Sequence, residues 1–180
     1  NLVNKFKFKV SHTDYEHLEM EGPTEIGLDY FDKGTDAKFE IVHSLLSESG
    51  GVLGLDFGTS RFSQKTKPYE PNNKRQNIGF YALEKISLGN HNFTVGLRHD
   101  YHDYEANAFT SDDGAPTEGG TEGSTSFAAT DKNFNVTSFS VGSSSKLSDK
   151  WTLAFNVAHT ERAPNPVSYT HLTLPTTSPV

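Results

Sequence analysis

The sequence contains no cysteine, and this absence removes several kinds of chemistry at once. Without thiols the chain has no disulfide, no thiolate metal ligand and no cysteine nucleophile. An excess of positive charge is also missing, because 16 Lys and Arg residues stand against 23 Asp and Glu residues, for a formal net charge of −7. Phosphate binding needs a basic surface, so this charge balance argues against nucleic acid as a partner.

Long hydrophobic runs are absent as well. No segment approaches the roughly 18 to 20 consecutive apolar residues that a membrane-spanning helix requires. Hydrophobic residues make up only 33% of the chain and the mean hydropathy is −0.59, which is little for a large conventional core. The strands of a transmembrane β-barrel are compatible with such values, because they alternate lipid-facing apolar residues with polar residues that face the lumen.

What the chain does have is a repeated alternation of apolar and polar residues with period two. In the first such segment Phe6, Phe8 and Val10 alternate with lysines. The pattern predicts seven strands, at about residues 5–12, 37–41, 53–58, 74–88, 92–102, 132–147 and 151–158. Segment 132–147 changes phase between Val136 and Phe139, which predicts a β-bulge there.

The connections between these predicted strands are of two kinds. Tight turns are expected at 47–51, 89–90 and 148–150, and long polar loops at 17–35, 62–73 and 106–131. Short and long connections in strict alternation are typical of a transmembrane barrel. The predicted fold class is therefore all-β, an antiparallel transmembrane β-barrel fragment of about seven strands. Its apolar face should meet lipid, its polar face a watery lumen, and its two edge strands should lack partners.

Four segments carry a likeness to a known family: FKVSHTDYEHLE at 8–19, GTDAKFEIVH at 34–43, GVLGLDFG at 51–58 and WTLAFNVAHTERAPN at 151–165. They resemble the barrel of TonB-dependent receptors, and most of all the branch that includes zinc-uptake receptors. The resemblance implies a location in the outer membrane and a parent barrel of about 22 strands. It also implies a plug domain, on which the periplasmic TonB protein pulls and which these residues do not include. The chain is thus expected to begin inside a longer protein.

The final residues differ in character from the rest. Residues 167–176, VSYTHLTLPT, resemble the in-frame translation of a transposon-based DNA sequencing adapter. We therefore expect two parts, a partial TonB-dependent receptor barrel at 1–166 and a non-native, adapter-derived tail at 167–180. A native loop rich in Thr and Pro is the alternative.

Catalytic arrangements are not evident, because acidic pairs such as Glu16 with Glu19 lack a matching nucleophile. No enzymatic activity and no cofactor are expected. Histidines and carboxylates do cluster near the outer ends of two strands, and imidazole with carboxylate is a ligand set that suits zinc. The candidate metal ligands are His12, Asp14, His17, His99 and His102. The alternative is that they are rim residues satisfied by water or by neighbours, and on an extended strand His99 and His102 point to opposite faces.

The predicted function is TonB-dependent uptake of a scarce nutrient at the outer membrane. The expected partners are the TonB complex through the plug, outer-membrane lipid, and a small solute or metal ion. Zinc is the first candidate solute and an organic metal chelate is its main rival, for which Tyr15, Tyr30, Tyr69 and Tyr104 would supply an aromatic vestibule. The polar-face charges of Lys38, Glu40 and Arg98 either line the solute path or contact the plug. A passive porin and a soluble all-β binding module are the alternative functions.

Overall fold

A computed structural model describes residues 2–44, 50–66, 71–111 and 125–164. Its strands are β1 (Val3–Met20), β2 (Ile26–His43), β3 (Gly51–Ser63), β4 (Asn73–Leu88), β5 (His91–Ala106), β6 (Phe109–Ser111), β7 (Thr125–Phe127), β8 (Thr130–Lys146) and β9 (Thr152–His159). Seven of them form one antiparallel sheet in the order β1-β2-β3-β4-β5-β8-β9, and β6 pairs with β7 in a separate hairpin. The prediction of an all-β chain with about seven strands is confirmed. In these ranges no helix has the length and apolar character needed to cross a membrane.

Register gives the sheet one apolar and one polar face. Phe8 lies opposite Phe39, Phe39 opposite Leu55, and Leu55 opposite Phe80, so apolar side chains on four adjacent strands share one face. The apolar face continues across the other strands with Leu97, Phe139, Val141, Phe155 and Val157. The two-face arrangement inferred from the alternation is therefore confirmed.

The sheet is a single layer without a core. Of the residues that the structure describes, no hydrophobic one is buried, and Phe8 and Phe155 are 71% and 64% exposed. In a soluble β-sandwich a second sheet would cover such a face. Hydrocarbon is the solvent that suits it here, as on the outside of a membrane barrel.

The two edges of the sheet that run across the strand ends differ in their connections. The turn end lies at the beginnings of β1, β3, β5 and β9, where the two-residue turn Gly89-Asn90 joins β4 to β5. Gly89 adopts a positive φ of 59°, which suits a tight hairpin turn. The loop end is the opposite edge, where residues 64–72 and 107–129 connect strands of the large sheet.

The apolar band runs obliquely across the strands. Pairing links Phe6 on β1 to His159 on β9 through Ile41, Leu53, Ala82, Leu97 and Phe139. On β1 the centre of the band is Phe8, which lies two residues from Phe6 toward the loop end. On β9 the centre is Phe155, which lies four residues from His159 toward the turn end. This shift of about one residue per strand corresponds to a strand tilt of about 35° if the band lies flat in a membrane, the tilt of a closed barrel.

One predicted connection, the long loop at 17–35, is wrong. Residues 17–35 are mostly strand, because β1 extends to Met20 and β2 begins at Ile26. The β1–β2 connection at 21–25 is consequently shorter than the β2–β3 connection at 44–50, so short and long connections do not alternate strictly. Each of these strands has 18 residues, whereas about 9–11 suffice to cross a bilayer. The rest of each strand extends beyond the apolar band. Both of its faces meet water there, so apolar and polar residues no longer alternate along it.

The predicted β-bulge in the strand that became β8 is also wrong. Pairing of β5 with β8 is continuous from His91 opposite Ser145 to Ala106 opposite Thr130. Val136 simply points to the polar face, where it lies opposite Asp100, and Phe139 points to the apolar face opposite Leu97. An apolar residue on the polar face was thus mistaken for a change of phase.

Both sides of the sheet end in strands with one partner. In the described part of the chain β1 pairs only with β2, and β9 pairs only with β8. The expectation that the edge strands lack partners is confirmed for these residues. Unpaired backbone groups cannot be left in lipid, so closure requires further strands on both sides.

Candidate functional site

Charged side chains from five adjacent strands join in one network on the polar face, which we call the lumen network. Its members are Lys7 on β1, Lys38 and Glu40 on β2, Asp56 on β3, Tyr81 on β4, and Arg98 and Asp100 on β5. They lie opposite the apolar band on the same strands. Three cations and three carboxylates balance, so the network carries no net charge.

Arg98 is the main branching point of the lumen network. Its Nε and Nη2 donate to the two oxygens of Asp100 at 2.7 and 2.6 Å, and its Nη1 donates to Asp56 Oδ2 at 2.7 Å. A guanidinium that satisfies two carboxylates at once is held in a fixed plane. Asp100 is only 9% exposed, so its charge depends on this pairing.

Tyr81 connects the two halves of the network. Its hydroxyl donates to Glu40 Oε1 at 2.6 Å, and Lys7 Nζ donates to Glu40 Oε2 at 3.1 Å. Lys38 Nζ lies 4.7 Å from the centre of the Tyr81 ring, within range of a cation–π contact. The ring lies against Gly54, where an added Cβ would overlap it, so glycine is required at that position.

A concavity of about 400 Å³ opens on the polar face beyond the lumen network, toward the loop end. We call it the loop-end concavity. Its polar lining includes Asp32, Asp36, Arg75, Asn77, His102 and Tyr104. Arg75 Nε donates to Ser60 Oγ at 3.0 Å, which orients the guanidinium along the wall. Small-molecule sites have volumes of about 300–1,000 Å³, so the concavity is large enough to contact a small organic ligand.

Two groups of neighbouring aromatic rings, which we call aromatic stacks, lie on the polar face near the loop end; Tyr15 and His17 are parallel, and the other neighbouring rings are tilted by 43–52°. In the first, His17 lies between Tyr15 and Tyr30, with ring centroids 6.4 and 5.8 Å away, and Tyr30 continues to Phe62. The second contains His102, Tyr104 and Phe134, with successive centroids 5.9 and 5.7 Å apart, and it borders the concavity. Of the predicted vestibule, Tyr15, Tyr30 and Tyr104 lie in these stacks, whereas Tyr69 lies outside the described residues.

The five predicted metal ligands lie apart from one another. His12, Asp14 and His99 project from the apolar face, where His12 Nδ1 is 2.9 Å from Thr35 Oγ1, Asp14 accepts from Lys33 Nζ at 2.8 Å, and His99 Nδ1 is 2.9 Å from Thr137 Oγ1. His17 and His102 project from the polar face, each in its own aromatic stack. The opposite orientation of His99 and His102 agrees with the sequence argument.

The predicted metal ligands on β1 are also far from those on β5. β1 and β5 are four strand steps apart, which is about 19 Å of sheet. Within the described ranges no group of three or more His, Cys, Asp or Glu side chains is arranged to hold a metal ion. The assignment of these residues to zinc stays a prediction, and each of the five has a protein neighbour that accounts for its position.

At the loop end, Asp29 anchors the start of the β3–β4 connection. Its Oδ1 accepts from the backbone N–H of Lys65 at 2.7 Å and of Thr66 at 2.9 Å, and it is only 5% exposed. Burial raises the pKa of this carboxyl, but the hydrogen bonds from Thr66 and Lys65 outweigh burial and leave the pKa below its usual value. Asp29 lies well beyond the apolar band, which on β2 ends at Ala37.

We expect Asp29→Ala to release this connection. Loss of the two backbone hydrogen bonds, and of a third from the Thr66 hydroxyl to Asp29 Oδ2 at 3.3 Å, should raise amide hydrogen exchange at Lys65 and Thr66, with a local cost of about 1–3 kcal/mol. Because the folded-state pKa is depressed below 3.8, the wild-type contribution is complete at pH 5 and is lost only as the pH falls through the lowered value. Exchange measured by mass spectrometry between pH 5 and 3 tests this. Unchanged protection in the variant would contradict it.

The chain matches the model of a known protein family. The family model described as "TonB dependent receptor-like, beta-barrel" matches residues 3–176. The match includes residues 167–176, so it lends no support to the expectation of a foreign tail, which lies outside the described residues. No curated protein and no solved structure gives a significant match.

Proposed function

Since the chain belongs to the TonB-dependent receptor β-barrel family, we propose that it forms part of the wall through which such a receptor takes up a scarce organic metal chelate. Members of this family are transporters of the outer membrane and not enzymes, and their uptake depends on TonB. The membership favours active uptake over a passive porin or a soluble binding module. The nature of the solute is our own inference from the geometry of the polar face.

The observation that carries the proposed solute is the aromatic stack beside the loop-end concavity. Tyr104 and His102 offer ring faces at the border of the concavity, and Arg75 offers a guanidinium within it. Aromatic faces and a cation suit a ligand with a conjugated or anionic organic shell. A bare ion would instead need converging ligand atoms at about 2 Å, which the separated histidines do not supply.

The lumen network contributes in a different way. Its cations and carboxylates already neutralise one another, so it presents a polar but electrically balanced wall below the concavity. Such a wall lets a solute pass without holding it strongly by charge. We therefore assign capture to the loop-end concavity and passage to the lumen network.

Binding measurements with the complete receptor test this assignment. We expect Tyr104→Ala to weaken binding of the cognate chelate about three- to tenfold, which is the effect of one stacking contact. Haem, cobalamin and a ferric tris-catecholate are suitable probes in calorimetry. Tyr101→Ala is the matched control, since it removes the same side chain from the apolar face of the same strand. Equal effects of the two variants on every probe that binds, or no binding of any probe, would contradict the assignment.

Zinc is the alternative solute that the sequence predicts, and calorimetry distinguishes it from an organic chelate. If the histidines hold zinc, the combined variant His12→Ala, His17→Ala, His99→Ala and His102→Ala should lose zinc binding. Wild-type zinc binding should then weaken in acid, because metal ligands must be deprotonated. We expect equal zinc affinity in the variant and the wild type. Dependence of uptake on TonB, measured in cells with and without it, tests the transport assignment independently of the solute.

A further inference from the structure

Three cations stand side by side on the apolar face, just beyond the apolar band toward the loop end. Lys33 on β2 lies directly opposite Arg61 on β3, and Arg61 directly opposite Lys74 on β4. Like charges in directly opposed positions repel and destabilise a sheet. This cationic row therefore calls for an anion.

In the described part of the chain, carboxylates pair only with the two cations at the ends of the row. Lys33 Nζ is 2.8 Å from Asp14 Oδ2, and Lys74 Nζ is 3.5 Å from Glu105 Oε1. Arg61 is exposed and forms no ion pair or side-chain hydrogen bond with any residue in the described ranges. The middle of the row thus keeps a guanidinium with all its donors available.

The backbone of the row lies just above the lipid headgroups, within reach of its long side chains. On each of the three strands the last apolar residue of the band, Ala37, Phe57 or Ile78, lies four residues from the cation. At the tilt given above, four residues rise about 11 Å along the membrane normal. The headgroup layer is about 5–8 Å thick, and long Lys and Arg side chains bend back across the remaining distance.

We propose that Lys33, Arg61 and Lys74 bind the phosphate of an anionic lipid headgroup in the leaflet at the loop end. Phosphate oxygens accept from guanidinium and ammonium groups in charge-assisted hydrogen bonds. The row lies beyond the apolar band at the headgroup side, on the opposite side of the sheet from the lumen, so the anion comes from a lipid and not from the solute. The site depends on the membrane placement of the barrel and is independent of which nutrient is carried.

Lipid retention by the complete receptor tests the site. The receptor is placed in nanodiscs of phosphatidylcholine that contain a small fraction of diphosphorylated lipid A, and native mass spectrometry then counts the lipid A molecules that stay bound. We expect the wild type to retain lipid A. The variant Lys33→Gln, Arg61→Gln and Lys74→Gln should bind it roughly tenfold more weakly.

A second triple variant, Lys9→Gln, Lys132→Gln and Lys150→Gln, is the matched control. It removes the same charge from the polar face and from the β8–β9 turn, and should retain lipid A like the wild type. Equal retention by both triple variants, or equal loss, would overturn the proposal. If inorganic phosphate displaced lipid A at a concentration equal to that of lipid A, the assignment of the bound anion to a lipid would be overturned. If the first triple variant fails to fold, two single variants replace it. Arg61→Gln should weaken lipid A binding, and Arg61→Lys should restore it.

Discussion

Replacing Leu55 by lysine is expected to destabilise the folded barrel in a bilayer by about 2–4 kcal/mol, the cost of a cation at the membrane midplane. Leu55 stands in the middle of the apolar band on β3, between Phe39 and Phe80, and is 49% exposed. Among the residues that the structure describes, no carboxylate lies on this face at the level of Leu55 to pair with a new cation. Urea unfolding of the complete receptor in liposomes measures the effect.

The matched control is the same substitution on the other face. Leu83 on β4 points to the polar face, opposite Gly96, so Leu83→Lys would place its ammonium in the lumen. We expect it to cost less than 1 kcal/mol, in the range of an ordinary surface substitution. Equal destabilisation by the two variants would mean that both faces meet the same medium.

The second prediction with a large expected effect concerns Arg98, the main branching point of the lumen network. Arg98→Ala removes the guanidinium that pairs with Asp100 and leaves Asp56 only Lys38, at 3.7 Å, so it should destabilise the barrel by about 1–3 kcal/mol. This is less than breaking a fully buried pair, because the Arg98 side chain is 39% exposed and water screens part of its charge. Arg98→Lys should recover only part of the loss, since an ammonium cannot bond both carboxylates in one plane.

A triple variant separates charge from packing in this prediction. If the loss comes from uncompensated carboxylates, Arg98→Ala combined with Asp56→Asn and Asp100→Asn should be more stable than Arg98→Ala alone. Both are measured by the same urea unfolding. Further loss on neutralising the carboxylates would show that Arg98 acts through packing against Tyr81, which lies 5.5 Å from its guanidinium carbon.

Within the apolar band, the sequence was sufficient to predict the fold. Alternation such as Phe6, Phe8 and Val10 reflects a real boundary between hydrocarbon and water, and the faces it predicts are those observed. Beyond the band that signal ends. Residues 17–20 and 26–35 pair as strands through backbone hydrogen bonds although neither face needs to be apolar, so they were predicted as loop.

The candidate site was harder to predict because it depends on register. Lys38, Glu40 and Arg98 were expected on the polar face, but nothing local relates them to Asp56, Asp100 and Tyr81, which pairing brings beside them from other strands. The histidines show the converse problem. His12 and His99 are near carboxylates in sequence, yet four strand steps separate them and the side chains of their own neighbours satisfy them.

Accessibility along one strand tests the central claim most directly, that one face of this sheet meets lipid and the other meets water. Because the sequence contains no cysteine, single cysteines can be introduced at positions 52, 53, 55, 56 and 57 on β3 without background and labelled with a nitroxide. Gly54 and Gly58 are left unchanged, because an added Cβ would overlap Tyr81 or Asn77. In the complete receptor in liposomes, we expect labels at 53, 55 and 57 to respond to oxygen dissolved in lipid, and labels at 52 and 56 to respond to a water-soluble relaxation agent. Uniform access of the aqueous agent to all five positions would contradict the claim.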